Sequence, residues 1–144
     1  MSDMPNFTDL IGKPFEFGSY GPKTFDCYGL CHEVYTRLGH DLPKFLDYTQ
    51  KYVEIITKNY SSEIAENYIE LVLKSFQKID HPESYCLVLF NVSREYTTHI
   101  GVVLKDRKRF IHTSQRKNCV IERLDNPLWQ KKIEGFYRYV NQSG

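Results

Sequence analysis

The sequence predicts an α+β domain, with N-terminal helices packed on an antiparallel β-sheet of about five strands. Three observations lead there. The first half carries apolar residues at helical spacing. The half after Pro82 carries runs rich in β-branched and aromatic residues. Those runs follow one another with short links, so neighbouring strands pair antiparallel and the preceding helices cover the sheet. At 144 residues the chain is expected to form a single domain, residues 1–144, that buries a core without disulfide staples.

The elements follow in chain order. Residues 11–25 concentrate Gly12, Pro14, Gly18, Gly21 and Pro22, which reads as an ordered loop leading into a helix. Leu30, Val34 and Leu38 then repeat at i, i+4 and i+8, with Cys31 and Tyr35 beside them and Glu33 and Arg37 opposite. Gly39 supplies a stop, so the helix is placed at Cys27 to Leu38, with Asp26 as its N-cap. Pro43 breaks the chain, and Tyr52, Val53, Ile55 and Ile56 fit a short helix. A longer helix is expected from Ser62 to Ile79, its stripe formed by Ile64, Tyr68, Leu71, Val72, Phe76 and Ile79. Strands are placed at Tyr85–Val92, Thr98–Lys105, Arg109–Thr113, Asn118–Glu122 and Gly135–Val140. Asp106-Arg107-Lys108 is a tight link, so the second and third of these form a hairpin.

Composition narrows the function classes. Lys plus Arg number 19 and Asp plus Glu 18, a net charge of +1, which offers no general attraction to nucleic acid or anionic lipid. The basic stretch Lys105 to Arg109 reads as a solvated turn. The first ten residues show no signal-peptide pattern, and no run of apolar residues is long enough to span a membrane. The protein is therefore expected in the cytoplasm as synthesised, with neither nucleic acid nor membrane as a partner. Eleven Tyr and nine Phe suggest a core or groove lined by rings.

Four cysteines, Cys27, Cys31, Cys86 and Cys119, are expected as free thiols. Cys27-x-x-x-Cys31 lacks the second close pair that a zinc site wants, so no metal is expected. Cys27 falls on the first turn of a helix, where unpaired N–H groups and the helix dipole favour a thiolate. The same position fits a small buried hydrophobe. His99 and His112 lie on adjacent strands of the hairpin, 13 residues apart with the turn midway. Strand alternation lets both imidazoles share one face. A cysteine, a histidine and a third polar group make a nucleophile, a base and an orienter. His32, His40 and His81 fit no such pattern and read as surface residues.

Asp26-Cys27-Tyr28-Gly29-Leu30-Cys31 resembles the Asp-Cys-x-Gly-Leu-Val signature of the NlpC family of papain-like cysteine peptidases. His99-Ile100-Gly101-Val102-Val103 is similar to that family's histidine strand, and Phe110-Ile111-His112 to the next strand. Gly12-Lys13-Pro14-Phe15 with Gly18 resembles its N-terminal loop, and Leu87-Val88-Leu89-Phe90 the strand before the histidine. The likeness runs collinearly over most of residues 11–115. Gly39-His40-Asp41-Leu42-Pro43 and the segment from Glu122-Arg123-Leu124 through Trp129 to Arg138 resemble the phage tail-associated branch.

The resemblance implies a papain-like NlpC fold and a cysteine hydrolase acting on amide bonds in peptidoglycan stem peptides, through a thioester and without a cofactor. It implies Cys27 as nucleophile, His99 as base and His112 as orienter. Asp26 then corresponds to an acidic residue that helps bind a substrate amine, and a plain N-cap is the equal alternative. Two positions depart from the family pattern. Phe15 stands where the family has a tyrosine, so that hydroxyl is lost unless Tyr20 replaces it. Tyr28 stands where cell-wall enzymes have a small serine, so its ring is expected to reshape the substrate site. The partners implied are peptidoglycan peptides and phage tail proteins, with the virion as a further location. The alternatives are a structural tail assembly protein with a vestigial site, and an amidase or acyltransferase acting on a non-wall substrate.

Overall fold

The computed structural model describes residues 6–44, 70–91, 99–114 and 117–140. The expected helix around residues 52–56 and most of the one over 62–79 lie outside these. Helix α1 spans Cys27–Arg37, one residue short of its expected end. Asp26 is extended and accepts from the Gly29 amide at 2.5 Å, as an N-cap should. Leu30, Cys31, Val34 and Tyr35 are buried on one side of α1. On the other side Arg37 bonds Glu33 at 2.8 Å, one turn back, and both oxygens of Asp9 at 2.6 and 2.7 Å. Gly39, at φ 90°, turns the chain out of the helix.

Six strands make up the sheet among the described residues: β1 (Phe76–Ile79), β2 (Leu87–Phe90), β3 (His99–Val103), β4 (Arg109–Ser114), β5 (Lys117–Arg123) and β6 (Ile133–Tyr139). A short helix, α2 (Pro127–Gln130), precedes β6. The spatial order is β1-β6-β2-β3-β4-β5, with every neighbouring pair antiparallel. The architecture is α+β, as the sequence implies.

The expected hairpin is β3–β4, with Val102 opposite Ile111 and Val103 opposite Phe110. Asp106 closes its turn by accepting from the amides of Lys108 and Arg109 at 2.9 and 3.0 Å. Arg107 takes the left-handed conformation there, at φ 62°.

Two expectations need correction. Phe76–Ile79 is a strand rather than the last turn of a helix. Phe76 and Ile79 satisfy a helical stripe, but the edge of β6 offers a better arrangement. Phe76 and Tyr139 sit opposite each other with ring centroids 5.6 Å apart, and Lys78 bonds Glu134 at 2.7 Å. This adds the strand that periodicity alone assigns to a helix. The strand expected from Tyr85 begins at Leu87, because Tyr85 is a turn residue at φ 65°.

The sheet buries both faces. One carries Leu87, Leu89, Ile100, Val102 and Ile111, against which α1 packs. The other carries Val88, Phe90, Val103 and Phe110, is continued by Ile133 and Phe136 of β6, and has Trp129 packed against it. Alternation along β3 therefore turns Ile100 toward α1 and His99 toward the second face.

The loop before α1 is fastened to the helix start. Asp26 N–H donates to the Ser19 carbonyl at 2.9 Å, and the second Asp26 carboxylate oxygen accepts from the Gly18 amide at 3.0 Å. Gly29 makes this approach feasible. A Cβ on it would lie 2.0 Å from the Ser19 carbonyl oxygen, a backbone atom that cannot swing aside. Gly29→Ala ordinarily stabilises a helix interior by up to about 1 kcal/mol. Here it is expected to lower stability by at least about 1–3 kcal/mol, the usual cost of overpacking. Urea denaturation followed by circular dichroism checks this, and a midpoint equal to or above that of the parent would contradict it.

Candidate functional site

The site is built from two converging parts, the start of α1 and the second face of the sheet. Cys27 is the first residue of α1 and is half-buried, whereas Cys31, Cys86 and Cys119 are buried. All four are free thiols. The amides of Tyr28, Cys27 and Ile100 favour a Cys27 thiolate. Burial and the neighbouring Asp26 carboxylate act more strongly the other way and push the thiol up to about 12. Desolvation and the Asp26 carboxylate thus work against the helix-start amides at the Cys27 sulfur. The influence of the Ile100 amide places the Cys27 sulfur beside the beginning of β3, one residue along from His99.

His99 and His112 meet as the hairpin register implies. His99 Nε2 lies 2.8 Å from His112 Nδ1. Gly101 carries no side chain beside His112. A Cβ there would lie 3.2 Å from the His112 Cβ and 3.0 Å from the Ile111 carbonyl oxygen. Both rings are buried, His112 at 0% exposure and His99 at 6%. Burial lowers both, His99 to about 3, and His112 adds to the His99 shift by like-charge repulsion. Both imidazoles are thus neutral near pH 7. Among the described residues, no hydrogen bond engages His99 Nδ1. The structure brings the two histidines into direct contact and the Cys27 sulfur to the neighbouring Ile100 amide.

Two further residues complete the cluster. Glu122 Oε2 lies 2.5 Å from His112 Nε2 and accepts from Trp129 Nε1 at 2.8 Å, while Glu122 Oε1 accepts from Lys117 Nζ at 2.8 Å. The Lys117 and His112 bonds hold the Glu122 carboxyl below its ordinary range in spite of partial burial. The Trp129 ring stacks on His99 at 5.3 Å and meets His112 edge-on at 4.8 Å. α2 presents this ring, with Asn126 accepting from the Leu128 amide as N-cap and Pro127 in the first turn. The sequence reading treats Glu122 and Trp129 only as parts of a similar segment. The signal that finds Glu122 is the β4–β5 register. His112 lies opposite Val120 and Phe110 opposite Glu122, so a carboxylate and an imidazole share one face as diagonal neighbours.

The residues expected to touch substrate are placed differently. Asp26 is buried, with one carboxylate oxygen on the Gly29 amide and the other on the Gly18 amide, so its visible role is the cap and loop fastening. Burial raises its carboxyl to about 6. Tyr28 is a core residue, only 2% exposed, and its hydroxyl donates to the Pro43 carbonyl at 2.7 Å. The expectation of a ring facing substrate is corrected here, because position 28 turns into the core on the first turn of α1. Tyr20 packs edge-on against Tyr28 and His32, with Lys44 Nζ 5.4 Å from its centroid. Phe15 is half-buried, edge-on to Phe17 at 4.8 Å. His32 is half-buried, with Nε2 2.9 Å from the Leu42 carbonyl, and so is not a free surface residue. His40 and His81 are exposed. Among the described residues, no group of three or more His, Cys, Asp or Glu side chains could hold a metal ion.

Comparison with known proteins follows the same outline. The NlpC/P60 family description matches residues 12–138. A comparison with curated proteins finds no match. Among solved structures, an NLP/P60 family protein similar to lipoprotein from Staphylococcus aureus aligns at TM-score 0.61 and 23% identity, over 92% of this chain and 38% of that one. NlpC2 from Trichomonas vaginalis aligns at TM-score 0.59 and 19% identity, over 90% of this chain and 43% of that one. The NlpC/p60 domain of the peptidoglycan hydrolase SagA aligns at TM-score 0.53 and 16% identity, over 91% and 90%. The chain thus spans about 40% of the length of the first two. A family match over nearly the whole chain, with the shared fold, establishes that the protein belongs to the NlpC/P60 family, a family of cysteine peptidases and amidases.

Proposed function

We propose that the protein is a cysteine hydrolase that cleaves amide bonds in peptidoglycan stem peptides. The observation that carries this reading is the buried His99–His112 hydrogen bond at the end of β3 that the Cys27 sulfur also approaches. Family membership and the likeness to a peptidoglycan hydrolase domain support it.

In this reading the Cys27 sulfur attacks the scissile carbonyl while His99 Nδ1 takes the thiol proton. Burial pushes the Cys27 thiol up and the His99 imidazole down, so in this reading proton transfer from sulfur to His99 accompanies attack. The Cys27 backbone N–H, in the first turn of α1, is the donor assigned to the developing oxyanion. The C–N bond breaks as His99 returns the proton to the leaving amine, which leaves a thioester on Cys27. Water, deprotonated by the same nitrogen, then releases the carboxylate product. His112 holds the His99 ring in position. Tail association is a further part of the proposal and rests on the likeness of segments 26–30, 39–43 and 122–138. Mass spectrometry of purified phage particles would test it.

Incubation with purified peptidoglycan and mass analysis of the fragments tests the activity. The native protein is expected to release stem-peptide fragments, and Cys27→Ala and His99→Ala none. Turnover by Cys27→Ala would remove the nucleophile, and with it the reading.

The buried, neutral His99 also shapes acid stability. Its native form resists protonation down to about pH 3, whereas the unfolded imidazole protonates near 6.5. The unfolded state therefore binds more protons in that window, and stability falls as pH drops through it. Asp26 acts oppositely. Its native carboxyl, raised to about 6 from 3.8, binds the proton more tightly than the unfolded one, so stability rises as pH falls between those values. Comparing native protein with His99→Gln isolates the first effect. The urea midpoint of the native protein is expected to fall more steeply than that of the variant from about pH 6.5 to about pH 5. Parallel curves would mean that His99 is accessible to protons in the fold.

A further inference from the structure

We propose that Glu122 is a positioning residue that sets, through His112, which nitrogen of His99 is left bare to act as a base. The inference rests on the roles proposed above for Cys27 and His99. It follows from the bonding capacity of each group in turn.

An ionised carboxylate only accepts hydrogen bonds. Lys117 and His112 keep Glu122 ionised. Oε2 therefore cannot supply a proton to the 2.5 Å contact with His112 Nε2, and that nitrogen must carry the hydrogen. The indole of Trp129 donates to the same oxygen at 2.8 Å and fixes the carboxylate plane. A neutral His112 with its hydrogen on Nε2 has a lone pair on Nδ1. That lone pair faces His99 Nε2 at 2.8 Å, so His99 must donate from Nε2. A neutral His99 that donates from Nε2 has its lone pair on Nδ1. The direction of both imidazole bonds is thus decided two rings away from the reacting sulfur.

The opposite arrangement would disable the site. Without an acceptor at position 122, His112 is free to hold its hydrogen on Nδ1 and donate to His99 Nε2. His99 would then carry its hydrogen on Nδ1 and could not take one from Cys27. Burial makes this choice sharp, since water is not available to satisfy either ring from outside.

The charge of Glu122 has a second effect. Protonation of either ring also disables the base, by placing a hydrogen on His99 Nδ1 directly or by turning His112 Nδ1 into a donor toward His99 Nε2. The charged groups facing the pair are Glu122 and Lys117 from β5 and Lys132 after α2, while Trp129 and Phe90 are neutral walls. Glu122 raises the pH at which His112 protonates, whereas Lys117 lowers it for His112 and Lys132 for His99. Glu122→Gln keeps a carbonyl acceptor for His112 and Trp129 but removes the charge. Glu122→Ala removes the acceptor as well.

The test has two independent readouts. The first is the 15N–1H correlation spectrum of the histidine rings in the inactive Cys27→Ala protein at pH 7. His112 is expected as the Nε2–H tautomer and His99 also as Nε2–H, with Glu122→Gln retaining this pattern and Glu122→Ala losing it at His112. The second is steady-state turnover of soluble stem peptides with Cys27 intact. Glu122→Ala is expected to lose at least roughly 10²-fold in kcat with KM little changed, since a wrong tautomer in such sites costs up to about 10⁴-fold. Glu122→Gln should keep most of its plateau rate, with the acid limb of its profile moved to lower pH.

A native His112 with its hydrogen on Nδ1 would overturn the inference without any variant at position 122. So would Glu122→Ala turning over like its parent while Cys27→Ala is inactive. Turnover by Cys27→Ala would instead overturn the hydrolase reading, and the tautomer pattern would still stand or fall by the spectrum.

Discussion

A fully buried imidazole must satisfy two ring nitrogens without water, and the second face of the sheet is organised around that requirement at His112. One nitrogen turns to His99 across the hairpin and the other to Glu122 on the outer strand β5. Three adjacent strands are thereby tied at a single level. Gly101 carries no side chain beside His112, and α2 brings Trp129 over the two rings with its indole N–H on the same carboxylate. Removing the His99 ring or the Glu122 carboxylate leaves a buried His112 nitrogen without that partner, which is the expensive way to lose a hydrogen bond.

The start of α1 solves a different problem with similar means. Its exposed amides must be capped, and the Asp26 carboxylate does this while also holding the preceding loop at Gly18. The Ser19 carbonyl then sits so close to the helix that only glycine fits at position 29. A carboxylate buried to cap a helix lies next to the cysteine and opposes a thiolate there. The helix terminus orients the Cys27 amide and sulfur but does not keep the sulfur charged. Burial works against charge at the Cys27 sulfur and at the His99 ring alike.

α1 packs on one face of the sheet while the histidines line the other. The two parts meet at the end of β3, where Ile100 faces the helix and His99 faces the aromatic wall. Being the first residue of its strand, His99 lies at the end of β3 that Cys27 approaches.

Much of this was legible in the residues themselves, wherever the deciding interactions are local. The α1 boundaries follow from an N-cap, an apolar stripe and a terminating glycine. The β3–β4 hairpin follows from a three-residue polar link, and its register brings His99 and His112 together. Phe76–Ile79 could not be read that way, because four residues with apolar ends suit a helix turn and a strand equally and the pairing with β6 decides. Tyr28 reads as a ring beside the cysteine, but only packing reveals that it points into the core. Glu122 lies 10 residues beyond His112, closer in the chain than the 13 that separate the two histidines, and Trp129 seven residues further on. Their part depends on a β4–β5 register that shifts between His112 and Ser114 and on the placement of α2, neither of which the alternation of residue types fixes. The sequence by itself thus determined the helix start, the hairpin and the pairing of the two histidines, since each depends on residues near one another in the chain. Tertiary structure alone decided how deeply the cysteine and the histidines are buried and which carboxylate backs His112, because burial and the shifted β4–β5 register exist only in the folded sheet.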